Sequence, residues 1–336
     1  MNRLCFSIMA GTAVLLGMIG VAQPIADAQQ PDTTSVQPSF TQGEAQSGIT
    51  MLYQWKGNNP RTANVGTITS PDGREWMVPA KTHFQTAMKA PDLYNEANGV
   101  EPTGIADVDL ESIPVIDAGG DELFAAYVFG DNYFEIYVNG ELLAIDPVPM
   151  TPFNSSVIRF RAQRPLTIAI MGVDWEERLG LGFEKFKGAS FHQGDAGLVA
   201  VVKDAAGETI AVTDASWKAQ TFYTAPLKTK DCLVLKGSLR DSSRCSTDDV
   251  DDGTTHFAAH WPIPKNWAAV DFDDSGWPNA AIFTNEFVGV DNKPAYTNFT
   301  DLFDDPKADG KFIWSSSLVH DNLVLMRKTI GDRHNE

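Results

Sequence analysis

The sequence predicts a mainly all-β protein: an antiparallel β-sandwich or barrel with an additional β-rich region before it. Three observations predict this class. Short apolar runs alternate with turn signals, no amphipathic helix separates consecutive runs, and the 336 residues include 27 glycines and 19 prolines. A parallel sheet would need helical crossovers between its strands, so the pattern favours antiparallel pairing.

Composition limits the classes of partner. The chain has 44 acidic and 26 basic residues, a formal charge of −18 and 43% apolar residues. That apolar fraction excludes disorder as the dominant state. The negative charge repels phosphate backbones and anionic lipids, and no run of Lys and Arg offers a local exception. Nucleic acid is therefore not an expected partner.

The first 28 residues have the pattern of a secretory signal peptide. Arg3 precedes a mostly apolar stretch, Leu4–Val21, and Ala26-Asp27-Ala28 fits a small-x-small cleavage site. A retained membrane anchor is the alternative, but small and polar residues interrupt the stretch. We expect a secreted, extracellular or periplasmic protein without a membrane span.

Two cysteines remain after removal of a signal peptide. Cys232 and Cys245 are 13 positions apart in a polar segment. In an oxidising compartment they are expected to form a disulfide bond, worth roughly 3 kcal/mol by loop entropy. Two free thiols are the alternative.

Two regions precede the predicted sandwich. Residues 29–46 are mostly polar and are expected to form a flexible leader. Residues 47–115 are β-rich but of unassigned fold, and Ala87–Asn98 within them could form a short helix that Pro91 and Gly99 confine.

The clearest local prediction is a hairpin. Tyr133–Val138 and Glu141–Ile145 flank Asn139-Gly140, and both central residues of a type I′ turn need a positive φ, which Asn and Gly tolerate. Further strands are predicted at Leu123–Phe129, Val157–Arg161, Leu166–Met171, Leu198–Lys203 and Glu208–Thr213.

Four segments resemble the galactose-binding-like jelly rolls of glycoside hydrolases, notably those of the β-galactosidase and rhamnosidase families. These segments are Asp131–Glu141 with its Tyr-Val-Asn-Gly, Thr213–Lys218 with its Thr-Asp-Ala-Ser-Trp, Phe272–Pro278 with its Phe-Asp-Asp-Ser-Gly-Trp, and Phe312–Trp314 followed by Arg327-Lys328. None of these motifs is catalytic in those families. The resemblance implies a jelly-roll fold and a non-catalytic, lectin-like role in carbohydrate binding.

The order of the motifs departs from those families. The Asp-Asp-Ser-x-Trp and Arg-Lys elements follow the hairpin here, whereas they precede it in many of those domains. Residues 116–330 are therefore expected to form either one jelly roll with permuted strand order or two units, 116–225 and 226–330.

A carbohydrate site needs aromatic rings beside hydrogen-bonding Asp, Asn or Arg. The best local candidate is Asp174-Trp175-Glu176 with Arg178, although a core position for the tryptophan is the alternative. A second hypothesis is a polysaccharide-degrading enzyme, a glycoside hydrolase or lyase, with its site between the sandwich and residues 49–115. Neighbouring Glu176 and Glu177 generally point apart and do not by themselves form a hydrolytic pair, so no catalytic residue is assigned.

Two segments contain potential metal ligands. Asp248, Asp249, Asp251 and Asp252 offer the hard oxygen donors that Ca²⁺ prefers, although a solvated acidic loop is equally consistent. The resemblance also implies a structural Ca²⁺. His256 and His260 are four positions apart and would share a face if the segment were helical, which gives a third hypothesis of an extracytoplasmic metal-binding protein. Ordinary surface or packed histidines are the alternative.

Overall fold

A computed structural model describes residues 37–53, 61–148, 153–175, 177–184, 192–248 and 253–331. The expected signal peptide lies outside them. The strands are β1 Ser39–Gln42, β2 Gln46–Tyr53, β3 Arg61–Thr69, β4 Glu75–Val78, β5 Asp92–Tyr94, β6 Val115–Asp117, β7 Glu122–Asp131, β8 Tyr133–Val138, β9 Glu141–Ile145, β10 Ser155–Ala162, β11 Leu166–Val173, β12 Phe183–Glu184, β13 His192–Gln193, β14 Gly197–Asp204, β15 Thr209–Val212, β16 Lys218–Leu227, β17 Val234–Lys236, β18 Leu239–Asp241, β19 Phe257–His260, β20 Ala281–Phe283, β21 Phe312–Trp314 and β22 Asp321–Ile330.

Helices are few and short. Three α-helices are described, α1 Asn285–Val288, α2 Pro294–Thr297 and α3 Thr300–Phe303, with 3-10 turns at Glu96–Asn98, Ile105–Asp107, Leu110–Ser112 and Lys230–Cys232. The short helix suggested over residues 87–98 is not formed. Asp92–Tyr94 pairs with β10 instead, and only Glu96–Asn98 takes a 3-10 turn.

Two large sheets form the sandwich, which confirms the predicted fold class. The seven-stranded sheet has the order β1-β19-β16-β22-β11-β8-β9. The eight-stranded sheet has the order β20-β21-β14-β7-β10-β5, with β15 also paired to β14 and β6 to β10. Nearly all of these pairings are antiparallel; β6 runs parallel to β10. The strands β2-β3-β4 form a separate three-stranded sheet.

The predicted hairpin is confirmed. β8 and β9 pair in antiparallel register, and Asn139 and Gly140 have φ values of 50° and 94°. The side chain of Asn139 also accepts a hydrogen bond from the amide of Thr167 at 2.8 Å. The predicted strands around Val157, Leu166, Leu198 and Glu208 are likewise observed.

The prediction of a flexible leader over residues 29–46 is wrong in its C-terminal part, which forms a strand. Ser39–Gln42 is the edge strand of the seven-stranded sheet, and Thr41 pairs with Ala258 of β19. Ladder hydrogen bonds and burial of the Thr41 side chain compensate for ordering a segment that has little apolar content. The polarity of the segment concealed this pairing.

Each predicted region after the signal peptide contributes at least one strand to the two large sheets. β22 pairs with β11 and β16 and therefore lies in the sheet of the β8–β9 hairpin. β5, from the N-terminal β-rich region, pairs with β10. The ranges 116–225 and 226–330 thus contribute strands to common sheets.

The inner core lies between the two sheets. Phe134, Ile136 and Val138 of β8 belong to one apolar cluster with residues of β7, including Phe124 and Val128. Gly172 of β11 allows a close approach there, because a Cβ atom on it would lie 2.5 Å from the ring of Trp314. A second cluster covers the other face of the seven-stranded sheet and includes Tyr133, Trp175, Tyr223, Trp261 and Trp267.

Candidate functional sites

The predicted sugar-binding loop does not present an aromatic ring to solvent. Asp174 and Trp175 are both fully buried. The ring of Trp175 packs edge-on against Tyr133 and Phe84, with centroids 5.2 and 6.3 Å away, and its Nε1 donates to the carbonyl of Asn64. The expectation of an exposed platform at Trp175 is wrong, because the second apolar cluster encloses its ring.

The other residues of the predicted sugar-binding site do not form a site with Trp175. Arg178 lies 3.4 Å from the carboxylate of Glu44 and lines a cavity of about 10 Å³ with Tyr223 and Asn322. A volume of that size holds about one water molecule, whereas pockets for small ligands span roughly 300–1,000 Å³. This cavity is too small for a sugar ring. Glu176 lies outside the described residues.

His256 and His260 do not lie close enough together to bind one metal ion. Phe257–His260 is a strand, so the helical premise for a metal pair is wrong. Four residues of strand separate His256 from His260 by roughly 13 Å. His256 packs edge-on against the ring of Phe183. Burial lowers the pKa of His260 to about 3, which keeps its ring neutral at physiological pH.

The acidic segment is described only at its first residue. Asp248 accepts hydrogen bonds from Ser246 and Lys228, which lower its pKa. Asp249, Asp251 and Asp252 lie outside the described residues. Within the described part of the chain, no group of three or more His, Cys, Asp or Glu side chains could hold a metal ion.

The predicted disulfide is confirmed between Cys232 and Cys245. Two of the motifs that carried the family resemblance also meet. Arg327 of β22 is buried, its Nε lies 2.8 Å from the carboxylate of Asp274, and its guanidinium donates to the carbonyls of Trp267 and Ala269. This contact anchors the loop that holds Asp274 to the sandwich, which is a structural role.

A better aromatic candidate is Trp76. It lies on β4, is partly exposed, and its ring stacks on the buried imidazole of His260 with centroids 5.1 Å apart. The imidazole is itself held by Thr41 through a 2.7 Å hydrogen bond and by the ring of Tyr223. The indole ring of Trp76 therefore packs against an imidazole that is itself held in place.

Polar groups surround this ring. Trp76 Nε1 donates to the hydroxyl of Ser70 at 2.9 Å, and the Arg74 guanidinium lies over the face of the ring, 5.2 Å from its centre. The exposed Asp72 accepts from Ser39 and Ser70, and these hydrogen bonds lower its pKa to about 2. We call Asp72, Arg74 and Trp76 the Trp76 site. It combines the ring and the hydrogen-bonding groups that a sugar requires.

Sequence reasoning missed this site because its components are remote along the chain. Residues 47–115 were expected to be β-rich, but nothing local in the sequence links Trp76 to His260. The β1–β19 pairing that places Thr41 beside His260 involves the segment expected to be flexible.

A second arrangement joins the 79–90 segment to β8. Glu135 is fully buried and accepts hydrogen bonds from the His83 amide at 2.5 Å, from His83 Nδ1 at 2.8 Å, and from the hydroxyls of Tyr133 and Tyr137 at 2.8 Å each. Burial, and secondarily the charge of Glu135, raise the pKa of both tyrosines. These hydroxyls therefore remain donors.

The carboxylate of Glu135 orients the imidazole of His83. With Nδ1–H donated to Glu135, the other ring nitrogen, Nε2, keeps its lone pair, and the side chain is 44% exposed. Nearby, burial lowers the pKa of Lys89 to about 8, while its ammonium donates to the carbonyl of Phe84. A half-exposed imidazole with a fixed tautomer can accept a proton or a hydrogen bond.

Comparisons with protein-family models, with curated proteins and with solved structures find no match to this chain. In the described residues, every helix is too short or too polar to cross a membrane.

Proposed function

We propose that this chain is a secreted protein that binds carbohydrate without catalysis through the Trp76 site. The observation that carries the proposal is the partly exposed indole of Trp76, backed by His260 and flanked by Arg74 and Asp72. A sugar that displaces the Arg74 guanidinium from the ring stacks its apolar C–H face there, while its hydroxyls bond to that guanidinium and to the Asp72 carboxylate.

The net charge of the chain favours one class of sugar as the ligand. The formal charge of −18 disfavours polyanionic polysaccharides, because long-range repulsion lowers their local concentration. Asp72 adds an exposed carboxylate at the site itself. We therefore propose neutral oligosaccharides or polysaccharides as ligands.

Titration calorimetry of the purified chain against a panel of neutral oligosaccharides tests the proposal. Trp76→Ala is expected to weaken binding of the identified sugar at least tenfold, about 1.4 kcal/mol. Met77→Ala is the matched control, since Met77 is 41% exposed on the opposite face of the same strand. Equal affinity of the two variants would refute the Trp76 site as the binding surface.

A separate observation favours a second candidate, an enzyme that acts on polysaccharide. Glu135 holds Nδ1 of His83 and leaves Nε2 open, as the carboxylate does for a general base in hydrolases. Such a base would remove a proton from water or from a substrate carbon. The fully buried Glu135 and Asp146 cannot serve as an exposed glycosidase pair.

An assay of polysaccharide turnover distinguishes the binding proposal from the enzyme proposal. If the enzyme proposal is right, incubation with neutral and esterified polysaccharides releases product, and His83→Ala abolishes that release at a temperature at which circular dichroism shows the variant to be folded. Release that persists in His83→Ala, or no release from any substrate, would refute a base at His83. Neither result alters the test of Trp76.

A further inference from the structure

The N-terminal strand β1 contacts the Trp76 site at two places. Thr41 is buried, and its hydroxyl is hydrogen-bonded at 2.7 Å to Nε2 of His260, the imidazole on which Trp76 stacks. The hydroxyl of Ser39 donates to the carboxylate of Asp72 at 2.7 Å. Ser39 and Thr41 are two residues apart, a spacing that places their side chains on one face of a strand. One face of β1 therefore contacts both the imidazole beneath the indole ring and the carboxylate beside it.

The opposite face of β1 is attached to different residues. Phe40 stands between Ser39 and Thr41 in the sequence, so its side chain points to the other side of the strand. The ammonium of Lys230 lies over the rings of Phe40 and of Phe257 in β19, 4.8 and 4.7 Å from their centres. This contact attaches β1 to the seven-stranded sheet without using Asp72, Arg74 or Trp76.

The position of β1 lets it open without the rest of the sandwich. The strand has four residues and lies at the end of the seven-stranded sheet, where β19 is its one partner among the described strands. Thr41 is the one buried residue of β1, and Gln42 is exposed. The free energy of local opening is low where few apolar contacts and few ladder hydrogen bonds hold a segment. We therefore expect β1 to open more easily than the strands between which the sheet continues.

Opening of β1 changes the Trp76 site at both contacts together. The carboxylate of Asp72 loses the hydroxyl of Ser39, which is one of its hydrogen-bond donors. The imidazole of His260 loses its hydrogen bond to Thr41 and keeps the ring of Tyr223 as a neighbour. A sugar that binds the site while β1 is docked therefore stabilises the docked strand, because linkage between two equilibria is reciprocal.

We propose that β1 is a strap that regulates the Trp76 site: sugar binds there while β1 is docked on β19, and opening of β1 weakens the binding. The ligand in this inference rests on the proposed function, whereas the coupling rests on the contacts of Ser39 and Thr41. Proteolytic removal of the chain before Gly43 is the regulatory event that this arrangement suits, because it deletes both contacts and leaves the remaining strands of the sandwich uncut.

The test uses Phe40→Gly, which removes the ring under Lys230 and disfavours an extended backbone while leaving Ser39 and Thr41 in place. Val115→Gly is the matched control, since Val115 is 41% exposed on β6 of the other large sheet. Calorimetry with a neutral oligosaccharide that the parent chain binds should show roughly fivefold or more weaker binding for Phe40→Gly and unchanged binding for Val115→Gly. In the parent chain, that oligosaccharide should slow hydrogen exchange at the amides of residues 40–42.

A measurement without sugar distinguishes failure of this inference from failure of the proposed function. NMR of the chain labelled with ¹⁵N-tryptophan follows exchange of the Trp76 indole N–H, which is donated to Ser70. This exchange should be several times faster in Phe40→Gly than in the parent chain and unchanged in Val115→Gly, even if no sugar is found to bind.

Three results would overturn the strap. The amides of residues 40–42 could exchange no faster in Phe40→Gly than in the parent, which would show that β1 does not open by itself. Those amides could exchange faster while the indole N–H of Trp76 does not, which would show that the strand and the site are uncoupled. Sugar binding could be lost in Trp76→Ala and unchanged in Phe40→Gly, which would leave the proposed function standing and remove its regulation by β1.

Discussion

The two faces of strand β8 differ in how they are stabilised. Phe134, Ile136 and Val138 enter the inner core between the sheets, where contacts are apolar. On the other face, Tyr133 and Tyr137 flank Glu135, and both hydroxyls donate to its carboxylate. The inner face of β8 thus depends on non-directional apolar burial, whereas the other face adds a few directional hydrogen bonds to its own apolar cluster.

This difference explains where the functional candidates lie. The inward side chains of β8 are apolar and offer a ligand no polar group. The outer face is covered by the 70–90 stretch, which contributes both the partly exposed Trp76 and the half-exposed His83. A covering layer held by specific polar contacts can present side chains to solvent while the sandwich beneath it stays rigid.

The inner face is expected to give the largest loss of stability. Phe134 is fully buried, and Phe134→Ala removes most of a ring from a packed core, which costs roughly 3–5 kcal/mol. Urea unfolding at equilibrium measures this loss. The exposed Met77→Ala serves as control and should change the free energy of unfolding by less than about 0.5 kcal/mol. A loss below about 1 kcal/mol for Phe134→Ala would mean that the inner core is loosely packed.

The outer face of β8 should contribute less to the free energy of unfolding, and its covering segment should open without unfolding of the sandwich. Glu135→Gln places an amide among four donors and loses at least one hydrogen bond to a charged group, an expected cost of about 2–3 kcal/mol. Hydrogen exchange should then accelerate at the amides of residues 80–90 and stay unchanged in β7 and β10. Equal acceleration in all of these segments would show that the covering layer and the sandwich unfold together.

Local sequence patterns predicted the sandwich well, and they predicted little of the site. Asn139-Gly140 encodes its own turn, and most strands of the sandwich follow apolar runs that any short window displays. Glu135 stands inside such a run, and its partner His83 is 52 residues away. Trp175 shows the reverse case, because its acidic neighbours suggested exposure whereas the rings of Tyr133 and Phe84 enclose it. Pairings between remote segments decide these positions.

The ring stack beneath Trp76 predicts a pH dependence. The pKa of His260 is lowered to about 3 in the folded chain, against an ordinary value near 6.5, so between these limits only the unfolded chain binds the proton. Stability is therefore lost as pH falls from 6.5 towards 3, by about 1.4 kcal/mol per pH unit. His260→Asn should remove this slope.

The comparison of parent and variant isolates that slope. Asp146 and Asp321 are buried with raised pKa values, so each loses stability in the opposite direction, as pH rises above the ordinary range of an aspartate. Both contributions are present in the two chains and cancel in the difference. Identical slopes for parent and His260→Asn would show that the imidazole under Trp76 is accessible to protons.

The smallest loss of stability is expected for Glu111, which binds a basic side chain as Glu135 does but is exposed to solvent. Glu111 pairs with Arg159 of β10 at 3.1 Å, but its side chain is 87% exposed, whereas that of Glu135 is 0% exposed. Solvent screening and side-chain entropy offset the attraction, so Glu111→Ala should lower the free energy of unfolding by no more than about 0.5 kcal/mol. Arg159 keeps its hydrogen bond to the carbonyl of Leu110 at 2.6 Å in that variant. Urea unfolding of Glu111→Ala beside Glu135→Gln measures the contrast, and comparable losses would mean that burial is not what makes Glu135 important.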